Sequence, residues 1–456
     1  MPNISGLYTA LSGMNAQRRV LDVTAHNVAN QATEGYHRQR VDLRAVGVSD
    51  VATVFAGQDI RVGGVDATAV TRMIDNLAED RALRQTATYG GTQTMRANLD
   101  QIEMTFPEPS ENGIAAQLDE LWASWSDLSS APDSPVVRSQ LLDRARGVID
   151  ALGRASADLN GVSDSAARQV PSMANEVNNL AGRIAELNQA IVGSGNNANG
   201  LLDQRDLLVK ELAGLTGAVS RRAANGAVDV TINGRAIVSG PRAEPVDGST
   251  GMFIWAADGT TVSAPPSQMA ALAKTINDVV PRYRAALDDV AATLVTQVNS
   301  LHTTGYDLFG ETGLNFFDPT KLTAQSISLS SDVDGQPEKV AAGAPVFPGP
   351  VAPGLFDGDL ARQLATLADG AGGAGMKYQS MVAALGSEAR TATQRDVVQS
   401  EMTLTANIRA DSVGGVSIDE EMANLMSAQR AYAASARVLT SVDEMLGVLM
   451  RTGAGR

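Results

Sequence analysis

Both ends of the chain carry a narrow hydrophobic stripe. Apolar residues recur at alternating steps of three and four positions, which is the spacing of a coiled-coil seam. The N-terminal stripe comprises Ile4, Leu7, Leu11, Met14, Leu21 and Val28, and the C-terminal stripe comprises Ile418, Met422, Leu425, Tyr432, Leu439 and Leu446. Because so narrow a stripe is too thin for a globular core, each end is predicted to be a helix whose seam forms a subunit interface.

Polar residues interrupt these stripes and raise two alternatives. Arg18 and Asp443 either form a buried pair that fixes the register of the seam or are rotated towards solvent. The net charge is +2 over residues 1–40 and −2 over residues 411–456, which favours pairing of the two ends with each other. We therefore expect the terminal helices to meet, and to be disordered in the free monomer because their burial requires partners.

The middle of the chain reads as a mostly helical body. Residues 170–191 form an uninterrupted heptad pattern, and residues 114–162 and 376–408 are also predicted to be helical. Residues 267–301 continue the pattern through Pro281, where a kink or a new helix start is expected.

Two segments depart from this helical rhythm. In residues 216–263, Val228, Val230 and Ile232 alternate with polar residues, and Asn-Gly and Asp-Gly pairs mark tight turns. This pattern predicts a small antiparallel β insertion. Residues 303–358 are rich in loops, and only Ile327 and Leu329 suggest a strand there.

The predicted fold class is mainly α with β insertions. The terminal segments form a helical coiled coil, and a central helical bundle carries a small antiparallel β domain. The predicted domains are a terminal axial domain of residues 1–50 and 409–456, a helical bundle of residues 51–215, 264–302 and 359–408, a β insertion of residues 216–263, and a loop-rich or small β unit of residues 303–358.

Composition narrows the functional classes. The net charge of −15 argues against nucleic acid and anionic membrane as partners. The chain has no cysteine and only three scattered histidines, so thiolate chemistry is excluded and a metal site is disfavoured. No apolar run is long enough to span a membrane, and the N-terminus lacks the pattern of a cleaved signal peptide. We expect no catalytic residues, no cofactor, no metal and no small-molecule substrate.

Signatures at both ends resemble those of bacterial flagellar rod, hook and hook-associated axial proteins. Near the N-terminus, the matching positions are Ala29, Asn30, Thr33, Gly35 and Tyr36. Near the C-terminus, residues 411–425 and the run Gln429-Arg-Ala-Tyr432 are similar to the partner signature. The resemblance implies that the N-terminal signature turn contacts adjacent subunits, although a helix cap and turn would explain the same residues.

The middle of the chain narrows the resemblance to the hook-associated protein 1 family. Leu202-Asp-Gln-Arg-Asp206, Leu121-Trp-Ala-Ser-Trp125 and the stretch from Asn299 to Phe317 look like that family. Two features depart from it: the chain is shorter than many members, and Pro265-Pro266-Ser267-Gln268 replaces a glycine-rich approach to the next helix.

The resemblance implies a non-enzymatic adaptor of the flagellum. Such a protein is exported without a cleaved signal peptide, assembles at the distal end of the hook and joins it to the filament. The implied partners are the hook protein, the second hook-associated junction protein, further copies of the chain and an export chaperone. A hook or distal-rod protein is the alternative within the class, and a wall hydrolase fused to an axial protein is the alternative outside it.

Several side chains allow a chemical or a structural interpretation. His302 and Asp307 would need a shared geometry for acid–base work, and a structural turn is the favoured explanation. Trp122 and Trp125, three positions apart on one helical face, are interpreted as core anchors. Asp203, Arg205 and Asp206 suit the start of a helix, with Arg205 pairing with a neighbouring helix.

Overall fold

A computed structural model describes residues 3–46, 63–194, 198–345 and 354–453. The α-helices of these residues are α1 Asn3–Ala29, α2 Asn76–Met104, α3 Ile114–Ser130, α4 Pro135–Ser194, α5 Asn199–Thr216, α6 Gln268–Lys274, α7 Val280–His302, α8 Asp359–Ala365, α9 Ala374–Gly414 and α10 Ile418–Gly453. The strands are β1 Gln39–Ala45, β2 Val65–Arg72, β3 Val219–Arg222, β4 Val228–Ile232, β5 Arg235–Ser239, β6 Arg242–Ala243, β7 Val246–Asp247 and β8 Ile254–Trp255. The predicted class, mainly α with β insertions, is confirmed.

The first and last helices pack along each other, as the opposite charges of the two ends predict. They run antiparallel, because Gly6 lies beside Val442 while Gly13 lies beside Ser435. The strands β1 and β2 pair antiparallel and pack against α1. The hydrophobic pattern did not predict this two-stranded sheet.

The main core lies at the end of the body remote from the terminal pair. It is formed by side chains of α3, the first half of α4, α7, α8 and α9, with Trp125 fully buried at its centre. Prolines mark the helix boundaries: α3 ends at Ser130 and α4 begins at Pro135. Pro281 stands in the first turn of α7, in agreement with the predicted helix start. A π-helical turn, Thr275–Val279, precedes α7.

A second core joins the far half of α4 to the β insertion. The predicted heptad from Val170 to Ile191 lies on α4 and packs against α5 and the strands, although Pro171 stands inside the helix. The sheet order is β3-β4-β5-β6, all antiparallel, with Val228, Val230 and Ile232 facing this core. The turn between β4 and β5 is Asn233-Gly234, and both residues have positive φ, as a two-residue hairpin requires.

Residues 303–345 are built into the main core. Phe316 and Phe317 are fully buried, and Asn299 of α7 accepts hydrogen bonds from both of their backbone N–H groups at 3.0 and 2.9 Å. Leu329 forms only an isolated bridge with Phe317, so Ile327 and Leu329 do not belong to a regular strand.

The division into domains stays a prediction, and two elements cross its boundaries. The pairing of β1 with β2 joins residues on either side of position 50, and α9 continues through position 408. Residues 47–62, between β1 and β2, and residues 346–353 lie outside the described residues.

Candidate functional site

The terminal helix pair places the predicted seam at the edge of the helix contact: eight of its side chains are half-buried, and Leu11, Ile418 and Met422 are exposed. The side chain of Ile4 lies outside the described residues, and none of the other eleven predicted seam side chains is fully buried. The positions that meet across the pair come one residue earlier on each helix. They are Gly6 with Val442, Gly13 with Ser435, and Asn27 with Glu421.

Small residues explain why the contact is offset from the predicted seam. A shift of one residue turns a helix by about 100°. Glycine and alanine on the inner line let the backbones approach closely: Ala10 and Ala428 are buried there beside the glycines. Some of the larger side chains of the predicted seam are displaced to the flank. Leu11 is 42% exposed and Met422 is 45% exposed.

The suggested pair of Arg18 with Asp443 is wrong within the chain. Both side chains are exposed. The observed register sets Arg18 opposite residue 430, about 20 Å along the helix axis from Asp443 at ~1.5 Å per residue. The alternative interpretation, that both residues are rotated towards solvent, describes the structure.

The signature turn follows α1 directly. Ala29 is the last residue of the helix, and Asn30 caps it by donating from its side-chain amide to the carbonyl of His26 at 2.9 Å. The Thr33 hydroxyl donates to the Asn30 side chain at 3.2 Å, which closes the turn. Gly35 has φ +74°, and its Cα faces the side chain of Leu207 on α5. A left-handed backbone here favours glycine and brings the chain against the body.

Tyr36 ends this turn and enters a buried polar cluster. Its hydroxyl donates to the Oδ1 of Asn27 at 2.7 Å, and the Asn27 amide donates to Glu421 at 2.9 Å. Burial raises the pKa of Tyr36 to about 12, and the charges of Asp203 and Glu421 act in the same direction. The phenol therefore stays protonated and serves as a hydrogen-bond donor at physiological pH.

An ion network attaches the turn to the body. His37 donates to Asp203 of α5 at 2.8 Å and lies 3.4 Å from Glu79 of α2. Arg72 of β2 binds Asp203 at 2.8 Å and Asp206 at 3.0 Å. Burial lowers the pKa of His37, but the hydrogen bonds to Asp203 and Glu79 outweigh it and raise the pKa to about 9. A protonated His37 thus connects α1 to two body helices.

Arg205 corrects one expectation. It does not pair with a neighbouring helix. Its guanidinium is buried, binds the adjacent Asp206 at 2.9 Å and donates to the carbonyl of Gly226 at 2.7 Å. Burial opposes ionisation of Asp206, but the charges of Arg72, Arg205 and Arg222 outweigh it and lower its pKa. The carboxylates near the start of α5 are therefore the anionic centre of the network. Asp203 and Asp206 thus have a structural role, as the sequence indicated.

Several residues of these clusters were not predicted from the sequence. They are Asn27, His37, Arg38, Arg72, Glu79 and Glu421. Two signals were available: His37-Arg38 follows the signature turn immediately, and Asp419-Glu420-Glu421 opens the last helix. Arg38 binds both Glu420 and Glu421, at 2.6 and 2.7 Å, and its backbone N–H donates to the carbonyl of Gly414 at 2.7 Å.

The remaining candidates lie in the body. His302 is fully buried; its Nδ1 donates to the carbonyl of Leu314 at 2.7 Å, and its Nε2 accepts from the N–H of Ala341 at 2.9 Å. Burial lowers the pKa of His302 to about 4, so it is neutral. Asp307 accepts the N–H of Phe309 at 2.8 Å within its own turn. Trp125 packs on Phe316 with ring centroids 5.1 Å apart, and Trp122 is also buried. All four side chains therefore have structural roles in the body.

The fold and this site define a class: helical structural proteins whose first and last helices pair. Three family models match the chain. "Flagellar hook-associated protein FlgK helical domain" matches residues 99–317. "Flagella basal body rod protein" matches residues 7–37, and "Flagellar basal body rod FlgEFG protein C-terminal" matches residues 413–452. The chain is thus similar to flagellar hook-associated proteins in its helical body and to flagellar rod proteins at both ends.

Individual relatives agree with this placement. "Flagellar hook-associated protein 1" of Bacillus subtilis (strain 168) is 28% identical, and the alignment covers 97% of this chain and 96% of that protein. The protein of the same name from Salmonella typhimurium is 25% identical, over 71% of this chain and 61% of its own length. The solved structure of "the flagellar hook junction protein FlgK from Burkholderia pseudomallei" shares the fold, with a TM-score of 0.63 at 14% identity, over 74% of this chain and 100% of that chain. In the described part of this chain, no helix is long and apolar enough to cross a membrane.

Proposed function

We propose that this chain is a structural adaptor that assembles at the distal end of the bacterial hook and joins the hook to the filament through the next junction protein. The match over residues 99–317 supports this role over that of a hook or distal-rod protein, because it is to the hook-associated helical domain. The proposed place of action is outside the cell, in the flagellum.

The observation that carries the proposal is the apolar flank of the terminal pair. Leu11, Ile418, Met422 and Met426 are each between 42% and 50% exposed, although they lie on two helices already packed together. Complete burial of a large apolar side chain stabilises by about 1.5–3 kcal/mol. Such residues on an isolated helix pair therefore supply free energy for contacts with other subunits.

The predicted seam residues keep their proposed role under this interpretation. Because the small inner residues make the contact within the chain, the displaced seam residues are available to contact further copies of the chain and the hook protein. We extend the same proposal to Ala29 and Thr33, which are exposed at the signature turn while Gly35 faces the body. The second hook-associated junction protein and an export chaperone complete the proposed set of partners.

Replacing Met422 with glutamate tests the apolar flank. Met422→Glu puts a charge where burial is required, so binding of the full chain to the ends of purified hooks should fall at least about ten-fold, which corresponds to ~1.4 kcal/mol. Binding is measured by sedimentation with hooks and by electron microscopy of hook ends.

Gln429→Glu is the matched control. Gln429 is exposed one heptad further along the same line of α10, so this substitution adds the same charge without removing an apolar side chain. Binding should change little. Undiminished binding by Met422→Glu, with unchanged helical content by circular dichroism, would refute the role of the flank. Equal losses in both variants would assign the effect to charge instead of apolar burial.

Deleting residues 416–456 tests the terminal pair as a whole. The truncated chain should lose hook binding while the body keeps its helical content, because both hydrophobic cores lie outside α10. A truncated chain that still caps hooks would show that the pair is not the assembly element. The fused-hydrolase alternative has its own test, since release of peptidoglycan fragments by the purified chain would contradict a purely structural role.

A further inference from the structure

The contact between Asn27 and Glu421 is a buried and strongly polar position on the inner line of the terminal pair. Both residues are 1% exposed, and the Asn27 amide donates to a Glu421 carboxylate oxygen at 2.9 Å. Other inner positions, such as Gly6, Gly13 and Ala428, carry small residues. This pattern raises the question of what holds the two helices in one register.

Steric fit along the inner line discriminates poorly between registers. A slide by one heptad would set Gly13 beside Ala428 or Val442 in place of Ser435, and a glycine accommodates each of these side chains. Regular seams of this kind are the case in which a buried polar residue selects the alignment, at some cost in stability.

Asn27 satisfies its full hydrogen-bonding capacity only in the observed register. Its amide N–H groups donate to Glu421 and to the carbonyl of Gln39, both at 2.9 Å. Its oxygen accepts the Tyr36 hydroxyl at 2.7 Å and the Gln39 N–H at 3.0 Å. The side chain thus pairs with the backbone at the start of β1 and with α10 at the same time.

Glu421 is equally dependent on this alignment. Its second carboxylate oxygen lies 2.7 Å from the guanidinium of Arg38, a residue fixed to the body through the carbonyl of Gly414. A heptad slide would place the carboxylate opposite Val20 or move it away from α1 altogether. A buried charge without a partner is strongly unfavourable, so the slide is opposed by Glu421 itself.

We propose that Asn27 and Glu421 are the register-determining residues of the terminal pair, and that they couple this register to the docking of the signature turn on the body. The apolar flank then presents its side chains at one fixed height relative to the body. This role is separate from hook binding and holds whether or not the proposed function is correct.

Engineered cysteines report the register directly, because the chain contains no cysteine of its own. A Cβ at position 13 would lie 3.8 Å from the Cβ of Ser435, the usual separation in a disulfide. Gly13→Cys with Ser435→Cys therefore reports the observed register. Gly13→Cys with Ala428→Cys, or with Val442→Cys, reports a slide by one heptad in either direction. In urea the three pairs close loops of similar length, so their yields should be nearly equal.

Under mild oxidation, the folded full-length chain should cross-link the pair at 13 and 435 at least about ten-fold more than either slipped pair. The test combines Asn27→Leu with Glu421→Leu. Two leucines replace the polar contact with apolar burial, so the stability of the helix pair should be kept. Selection of the register should be lost. The ratio is expected to fall by about ten-fold, with helical content by circular dichroism preserved.

Glu420→Gln is the matched control. Glu420 also binds Arg38, but its side chain is 63% exposed and its hydrogen bonds do not reach Asn27, so the cross-linking ratio should be unchanged. A double-leucine variant that keeps the original ratio would overturn the proposal. Equal yields of the three pairs in the otherwise unsubstituted folded chain would overturn it too. Hook binding measured on the same variants is a separate readout and distinguishes failure of the register role from failure of the proposed function.

Discussion

Helix α2 contains a glycine notch that allows an unusually close approach of the segment before α6. A Cβ added at Gly91 would lie 2.8 Å from the backbone nitrogen of Ser267 and 3.0 Å from its carbonyl oxygen. Normal non-bonded contacts between heavy atoms lie near ~3.5–4.0 Å. Gly91→Ala therefore forces the helix and the segment apart by roughly half an ångström or more.

The opposing segment cannot yield easily. Ser267 is fully buried and caps α6: its hydroxyl accepts the N–H of Ala270 at 3.3 Å and donates to the carbonyl of Pro265 at 2.8 Å. Overpacking of this kind costs about 1–3 kcal/mol. The gain from replacing a helical glycine with alanine is about 0.5–1 kcal/mol. The net expectation is destabilisation by about 1–2 kcal/mol.

Gly161→Ala is the control, because a Cβ at this exposed position of α4 would meet nothing within 4 Å. It should stabilise by about 0.5–1 kcal/mol. Urea unfolding, followed by circular dichroism and tryptophan fluorescence, should shift the midpoint in opposite directions for the two variants. Stabilisation by Gly91→Ala to the same extent as by Gly161→Ala would refute the argument.

Three further predictions concern His37 after the signature turn, the buried His302 and the terminal helix pair. The pKa of His37 is raised from 6.5 to about 9 in the folded chain, so the stabilisation by its charged form is complete below pH 6.5 and is lost as the pH rises through 9. In His37→Gln, the melting temperature should depend less on pH between 6.5 and 9. His302 has a pKa lowered to about 4, so its contribution is present above pH 6.5 and disappears as the pH falls towards 4; a melting temperature that is constant over that interval would contradict its neutral, buried state. In limited proteolysis of the free chain with mass-spectrometric mapping, the terminal pair should open and be cleaved before a stable core of roughly residues 50–405, because its apolar flank lacks partners. Resistance along the entire chain would contradict this expectation.

The hydrophobic pattern alone determined the secondary structure of most of the chain. A three-and-four spacing is a property of one helix, so the terminal helices and the heptad on α4 followed from the sequence without knowledge of their neighbours. The Asn233-Gly234 hairpin followed in the same way, because positive φ at two adjacent positions is a local requirement.

Tertiary structure decided which side of each terminal helix faces the other. The large apolar residues mark a stripe, but the closest approach of two helices is set by the smallest residues, and these lie one position earlier on both helices. The stripe alone therefore gave a seam that is offset from the observed contact, and only the packed pair shows Leu11 and Met422 on its flank.

The polar clusters likewise depend on the tertiary fold. Asn27 meets Glu421 across 394 positions of sequence, and His37 meets Asp203 across 166. No local pattern connects residues so far apart, because their proximity results from the packing of α1 against α10 and of the signature turn against α5. The sequence by itself determined the helices, the hairpin and the family signatures. The tertiary structure decided the register of the terminal pair and its attachment to the body, because buried polar groups need hydrogen-bond partners and only the packed fold supplies them.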